Sequence, residues 1–197
     1  MLNNEMQEFV ITMLKQNLPT SYFYHNHQHT LDVMANAERI GKQEGISKKE
    51  LQLLRAAALW HDTGYINTYN GHEDESCALA KKHLPDFGFK TTDIKLICGM
   101  IMATMVPQDP HTRLEEIIAD ADLQYLGTSD ASAIAHQLFL ELSSLNPSLT
   151  EKEWNNNQIS FLKDHQFFTD YCRQKNEPQK QLYLQQLEAL VKAQQKK

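Results

Sequence analysis

Apolar residues recur along this chain every three or four positions, and nowhere for long in the every-second alternation of a half-buried strand. Met6, Phe9, Val10, Met13 and Leu14 predict a first helix over about residues 3–17, stopped by Pro19. A second helix covers Leu31 to Ile40, with His29, Val33, Ala37 and Ile40 on its inward line and Gly41 and Gly45 ending it. Ser47 with Glu50 three residues on is a capping-box start for a third. Its stripe of Leu54, Ala57 and Ala58 runs into His61 just before Thr63-Gly64 breaks it, and residues 63–71 read as a loop. His72-Glu73 opens a fourth helix, through Ser76, Leu79, Ala80 and His83 to Leu84-Pro85. Thr91-Thr92-Asp93 caps a fifth, with Ile94, Ile97, Cys98, Ile101 and Met105 on one side, followed by a loop containing Pro107 and Pro110. Thr112 and Glu115 form a second capping box, and the stripe behind it runs Leu114, Ile117, Ile118, Ala121, Asp122, Tyr125 up to Gly127. That register places Asp122 inward and Asp120 off the line.

Beyond Gly127, Ile134, Leu138 and Leu142 predict a helix up to Pro147. Thr150 and Glu153 make a third capping box leading into Trp154, Phe161 and Leu162, and a last helix from about Pro178 carries Leu184, Leu187 and Val191. The fold class is therefore all-α. The 197 residues suffice for one domain with a full core, and only 7 glycines and 6 prolines favour long helices over a many-turned β-sandwich. At 41% hydrophobic and 22% charged the composition is that of an ordinary globular protein.

A formal charge of -6 removes the electrostatic case for binding a nucleic acid backbone, though not for a nucleotide held by a local site or a metal. Cys77, Cys98 and Cys172 are far apart and form no Cys-x-x-Cys pair, so they read as core thiols rather than a disulfide framework or zinc knuckle. The first residues lack the basic-then-apolar order of a signal peptide, and no apolar run approaches a membrane span, which together imply a cytoplasmic protein without a membrane partner.

Three separate helices each direct a metal-competent group inward: His29, the pair His61-Asp62, and Asp122. Burying an imidazole and a carboxylate unpaired would cost several kcal/mol, and a divalent cation would offset that. Two imidazoles and two carboxylates suit Mn, Fe, Zn, Ni or Mg without choosing among them. Ligands that fill only part of an octahedron leave positions for water, which a cation activates as a hydroxide nucleophile near neutral pH.

In the order His29, His61-Asp62, Asp122, and in its all-α setting, the sequence resembles the HD superfamily of metal-dependent phosphohydrolases. The stretch Tyr24-His25-Asn26-x-x-His29-Thr30 also resembles the matching segment of cyclic-nucleotide phosphodiesterases. The resemblance spans about residues 20–127, implying an HD core there with a C-terminal helical extension over about 128–197, all one domain. It implies that His29, His61, Asp62 and Asp122 ligate one divalent metal ion, with Asp62 able to bridge to a second. His25 matches the position that protonates the leaving oxygen in the phosphodiesterases, and lies four residues from His29, on the same face of a helix.

Two departures stand out. Some nucleotidase members carry a catalytic Glu three residues after the dipeptide's Asp, and here that place is Tyr65, which weakens a nucleoside 5′-monophosphatase reading. The extra histidines of a full second-metal site are not all evident, and His72 is the best candidate.

The implied function is hydrolysis of a phosphate ester or phosphodiester, of a nucleotide or cyclic nucleotide on family grounds. The alternatives are a di-iron oxygenase on the same scaffold and a non-catalytic nucleotide-sensing module. His72, Glu73 and Asn26 are candidates for supporting the ligands or meeting substrate. Asp120 reads as a solvated or supporting acid, and Thr104, His111 and Arg113, which flank a loop, are candidates to overhang the site. His27 reads as a surface residue. The C-terminal amphipathic helix packs on the domain or on a second copy in a homodimer. No glycine-rich phosphate loop or base-stacking pattern names a nucleobase.

Overall fold

The computed structural model describes residues 4–194, so the very start of the expected first helix and the last three residues lie outside it. The described residues are helical without a strand. The α-helices run α1 (Asn4–Asn17), α2 (His27–Gln43), α3 (Lys48–Trp60), α4 (His72–His83), α5 (Thr91–Met102), α6 (Arg113–Asp122), α7 (Ala131–Leu145), α8 (Glu151–Asp164), α9 (Asp170–Lys175) and α10 (Glu177–Gln194).

The centre is α2 packed on both α3 and α6, with α5 laid across α3 and α4. Small residues allow the close approach: Ala37 on α2, Ala56, Ala57 and Ala58 on α3 and Ala121 on α6 are all fully buried. Val33, Ile40, Leu54, Ile97, Ile101, Ile117 and Ile118 fill the space between them. The expected capping boxes form. Ser47 Oγ accepts from Glu50 N at 3.2 Å while the Glu50 carboxylate accepts from Ser47 N at 2.7 Å, and Thr112–Glu115 and Thr150–Glu153 repeat the exchange.

Several boundaries differ from the sequence expectation. Gly41 does not end α2, which continues to Gln43; it lies buried inside the helix, where a Cβ would come within 2.7 Å of Ile46. The stop is Gly45, in the left-handed region at φ +68°. Helix α5 ends at Met102, leaving Met105 exposed rather than on the core stripe. Residues Thr63–Ile66 form a 3-10 turn instead of an open loop. Helix α6 stops at Asp122, and a 3-10 turn over Gln124–Gly127 follows. Gly127 there serves close packing: a Cβ would meet Asn176 at 2.4 Å, and Asn176 Nδ2 donates to the Gly127 carbonyl at 3.1 Å.

Helices α7 and α10 pack on that turn. Helix α10 packs on α8, on α9 and on residues 124–127. The short α9, absent from the hydrophobic pattern, is capped by Thr169, whose side chain accepts from Cys172 N at 3.2 Å. Cys77, Cys98 and Cys172 are buried and free. Among the described residues no helix is long and apolar enough to cross a membrane.

Candidate metal centre

Asn26 prepares the first ligand position. Its side-chain oxygen caps α2 by accepting from Gln28 N at 2.8 Å and His29 N at 3.3 Å, which fixes His29 in the opening turn. Helix α3 delivers the next pair. The backbone of His61 stays helical at φ −57° and ψ −39°, so its ring remains on the buried stripe. Helix α6 brings Asp122 in on its last turn.

His29 Nε2 lies 3.0 Å from Asp122 Oδ1 and 3.4 Å from Asp62 Oδ2. His61 Nε2 lies 3.2 Å from Asp62 Oδ1 and 3.5 Å from Asp122 Oδ1. One ligand atom from each of His29, His61 and Asp122 falls within 4.8 Å of the others, and Asp62 turns one carboxylate oxygen toward each imidazole.

The chemistry of these atoms fits a cation. His61 Nδ1 sits 2.8 Å from the Ala58 carbonyl, which can only accept, so Nδ1 carries the hydrogen. In the neutral ring Nε2 then presents a lone pair to carboxylate oxygens. Both His61 Nε2 and Asp62 Oδ2 are buried without a hydrogen bond. Acceptors facing acceptors in a buried place need a proton or a metal between them. Without a metal the proton takes that place. Burial opposes a charge on His61, but Asp62 and Asp122 outweigh it and raise its pKa well above the usual histidine value. Burial likewise works against ionised Asp122, yet its contacts with His29 and His61 bring it down to about 2, and His61 foremost holds Asp62 well below the carboxylate range.

His72 opens α4 on the far side of Asp62, its Nε2 3.5 Å from Asp62 Oδ1, and Glu73 lies 3.5 Å from its Nδ1. Burial lowers the His72 pKa, and Asp62 more than reverses that. Gly64 makes this adjacency possible. A Cβ there would lie 1.9 Å from the His72 carbonyl oxygen, and Gly64 N donates to Ser76 Oγ at 2.8 Å.

His25 precedes α2 rather than sharing a helix face with His29, and stands beside the ligand candidates, its ring 6.0 Å from that of His29 and 6.3 Å from that of His72. Its Nδ1 is 2.5 Å from Glu141 Oε1, and its Nε2 is 3.1 Å from the Tyr65 hydroxyl. Glu141, from α7, was not singled out by the sequence. It is fully buried, and its other oxygen accepts from Tyr24 N at 2.9 Å and His25 N at 3.0 Å, while the Tyr69 hydroxyl donates to Oε1 at 3.2 Å. Burial would raise the Glu141 pKa, but these donors, His25 foremost, lower it. A signal existed: Glu141 follows Ala131, Ala135 and Leu138 on the inward side of α7, a lone acid among apolar residues. Tyr65 was also passed over as more than a departure. Its ring stacks between His25 at 4.2 Å and His72 at 3.8 Å.

Two expectations, for Asp120 and Arg113, are corrected. Asp120 is neither solvated nor near the centre. It is 0% exposed, and its carboxylate accepts from Phe168 N and Thr169 N at 2.8 Å each and from the Thr169 hydroxyl at 2.6 Å. It ties the segment before α9 to α6, and burial raises its pKa against those bonds. Arg113 faces away: it is exposed, pairs with Glu44 at 3.5 Å and lines no part of the cavity described next. Thr104 is buried beside the cavity, with its hydroxyl donating to Ile101 O at 2.8 Å.

A cavity of 560 Å³ opens from His25, Asp62, His72 and Asp122 toward α7 and α8. A smaller hollow of 400 Å³, lined by Asn26, His29 and Asp32 among others, reaches Asp122 from the other side.

An all-helical fold that brings His, His-Asp and Asp from three helices to one point defines a class, and sequence comparison agrees with it. Residues 26–123 match the profile of the HD domain, and the chain belongs to the HD family. No curated protein matches the chain in sequence. Among solved structures, it is similar to Bacillus subtilis YpgQ, in complex with ADP, at 19% identity and a TM-score of 0.68 over 96% of this chain and 93% of that one. It is also similar to a predicted HD superfamily hydrolase from an uncultured Thermotogales bacterium, at 19% identity and a TM-score of 0.63 over 94% and 91%.

Proposed function

We propose that this chain is a metal-dependent hydrolase of phosphate esters, acting on a phosphomonoester or phosphodiester of a nucleotide or cyclic nucleotide. The observation that carries this reading is the buried, unbonded pair His61 Nε2 and Asp62 Oδ2, set among His29, His61 and Asp122 ligand atoms within 4.8 Å of one another. Membership of the HD family supports it.

His29, His61, Asp62 and Asp122 hold a divalent cation in this reading, and a second would draw on Asp62, His72 and Glu73. Such a cation supplies Lewis acidity, lowering the pKa of a water and offsetting charge on the phosphoryl oxygens. The rest falls to the chain's own side chains. His25 holds a proton at Nε2 for the departing oxygen, with Glu141 accepting from Nδ1 so that Nε2 faces the cavity. Tyr65 stacks on the ring and places its hydroxyl against Nε2 until a substrate displaces it.

Metal analysis of the purified protein, followed by assays on phosphomonoesters, cyclic nucleotides and nucleoside triphosphates, tests the proposal. The expected result is stoichiometric divalent metal and hydrolysis that chelation abolishes and metal restores. Hydrolysis that survives complete metal removal, or a metal-loaded protein that cleaves none of the panel, would falsify it.

A further inference from the structure

The cavity leading from the metal centre changes character along its length, and the change selects a substrate. At the near end three acids, Asp62, Glu73 and Asp122, line it. Among the described residues no lysine or arginine does; the side chains there able to carry positive charge are His25 and His72. At the far end, α7 and α8 contribute Leu138, Trp154, Phe161 and Leu162, opposite Tyr125 and Leu126. Trp154 is backed by Phe139, with ring centres 6.1 Å apart. Two carboxamides edge this apolar end. Gln158 is occupied, accepting from Tyr183 at 2.7 Å and donating to Asn155 at 3.4 Å. Asn157 has no partner in the protein among the described residues, so it is free to donate and accept.

We infer that this cavity takes a phosphate ester with a single phosphoryl group on a flat, uncharged aromatic body, and rejects di- and triphosphates. The placement of the phosphoryl group rests on the hydrolase reading above; the selection rests on the lining. With a single cation at His29, His61, Asp62 and Asp122, and none drawn to Glu73, the centre compensates one phosphoryl group. A second or third adds charge beside Asp62 and Glu73, where no lysine or arginine answers it, in a cleft where like charges repel more strongly than in water. A flat ring buries its faces against Trp154 and Phe161 and offers heteroatoms at its edge to Asn157. The 560 Å³ volume lies within the span of about 300–1,000 Å³ usual for small-molecule pockets. Cyclic diesters and monoesters both meet the description, and they are separate arms of the test.

The experiment is calorimetric titration of the full-length protein in saturating Mn²⁺ with AMP, cyclic AMP, p-nitrophenyl phosphate, ADP, ATP and ribose 5-phosphate, with product assayed in parallel. AMP or cyclic AMP is expected to bind at least tenfold more tightly than ADP, ATP or ribose 5-phosphate. Trp154→Ala should weaken the aromatic ligands about tenfold at unchanged metal content. Asn70→Lys, at an exposed position that lines the cavity beside Tyr69, should narrow the gap between ATP and AMP several-fold. ADP or ATP binding as tightly as AMP, ribose 5-phosphate matching AMP, or no binding of any aromatic phosphate overturns the inference. If the binding order holds but nothing is cleaved, the hydrolase reading falls and the cavity assignment stands. If cleavage occurs without that order, the reverse follows.

Discussion

The helices before Gly127 and those after it contribute unequal chemistry to one site. The first group supplies every ligand candidate, on or just past the end of a helix whose buried face is mostly apolar. The second supplies no ligand candidate. It supplies the carboxylate that holds His25, the far wall of the cavity, and the N–H groups of residues 168 and 169 that donate to Asp120 of the first group. In the proposed reading, metal binding and the selection of what is cleaved are thus borne by different parts of one fold. Substitutions on the two sides should fail in different ways.

The largest effect belongs to the first group. Asp122→Ala or Asp62→Ala should lower metal affinity by more than about 100-fold, beyond the roughly 10–100-fold typical of partners outside the ligand set, with activity lost in parallel. Metal content after dialysis reads this directly. His25→Ala should lower kcat by about 10²–10⁴ while metal content survives. Loss of the metal as well would place His25 among the ligands and erase the contrast.

Glu141→Gln crosses the boundary between the groups. It keeps the shape but weakens the bond to His25 Nδ1, and should lower kcat by roughly 10-fold with little change in metal content and a displaced limb of the pH–rate profile. An unchanged profile would make Glu141 a packing residue only. Asp120→Ala should act on stability alone. Unpaired N–H groups at residues 168 and 169 cost about 1–3 kcal/mol each, read by denaturant unfolding, at unchanged metal stoichiometry.

The mildest lever is pH. The proton that Asp62 and Asp122 hold on His61 must leave before a metal binds, so affinity should fall about tenfold per pH unit once the pH drops below the raised His61 pKa. Because that pKa lies above the ordinary histidine value, the decline begins on the alkaline side of that value. Affinity that stays flat down to pH 5 would contradict the assignment of His61.

Periodicity alone exposed most of this. His29, His61 and Asp122 each interrupt an apolar stripe, and a polar group at a core position asks for a partner that the local sequence does not supply. The capping boxes marked three helix starts with local side-chain chemistry. What stayed hidden depends on contacts between residues far apart in the chain. Asp120 looks solvent-facing in its own helix because the segment that covers it lies some fifty residues on. Glu141 acquires its meaning from His25, 116 positions earlier. The cavity wall needs α8 held by α10, which itself packs on the turn after α6, and Trp154 and Phe161 on one helix look like ordinary core.

Gly64 also deserves its place in the site, for a reason that has nothing to do with backbone freedom. The hydrogen in place of its side chain lets the polypeptide after Asp62 lie flush against the opening turn of α4, where His72 begins. A methyl group there would wedge the two apart and widen the gap between Asp62 and His72, leaving the His29–His61–Asp122 cluster untouched. In the proposed reading, this glycine therefore sets whether one cation or a pair can share Asp62.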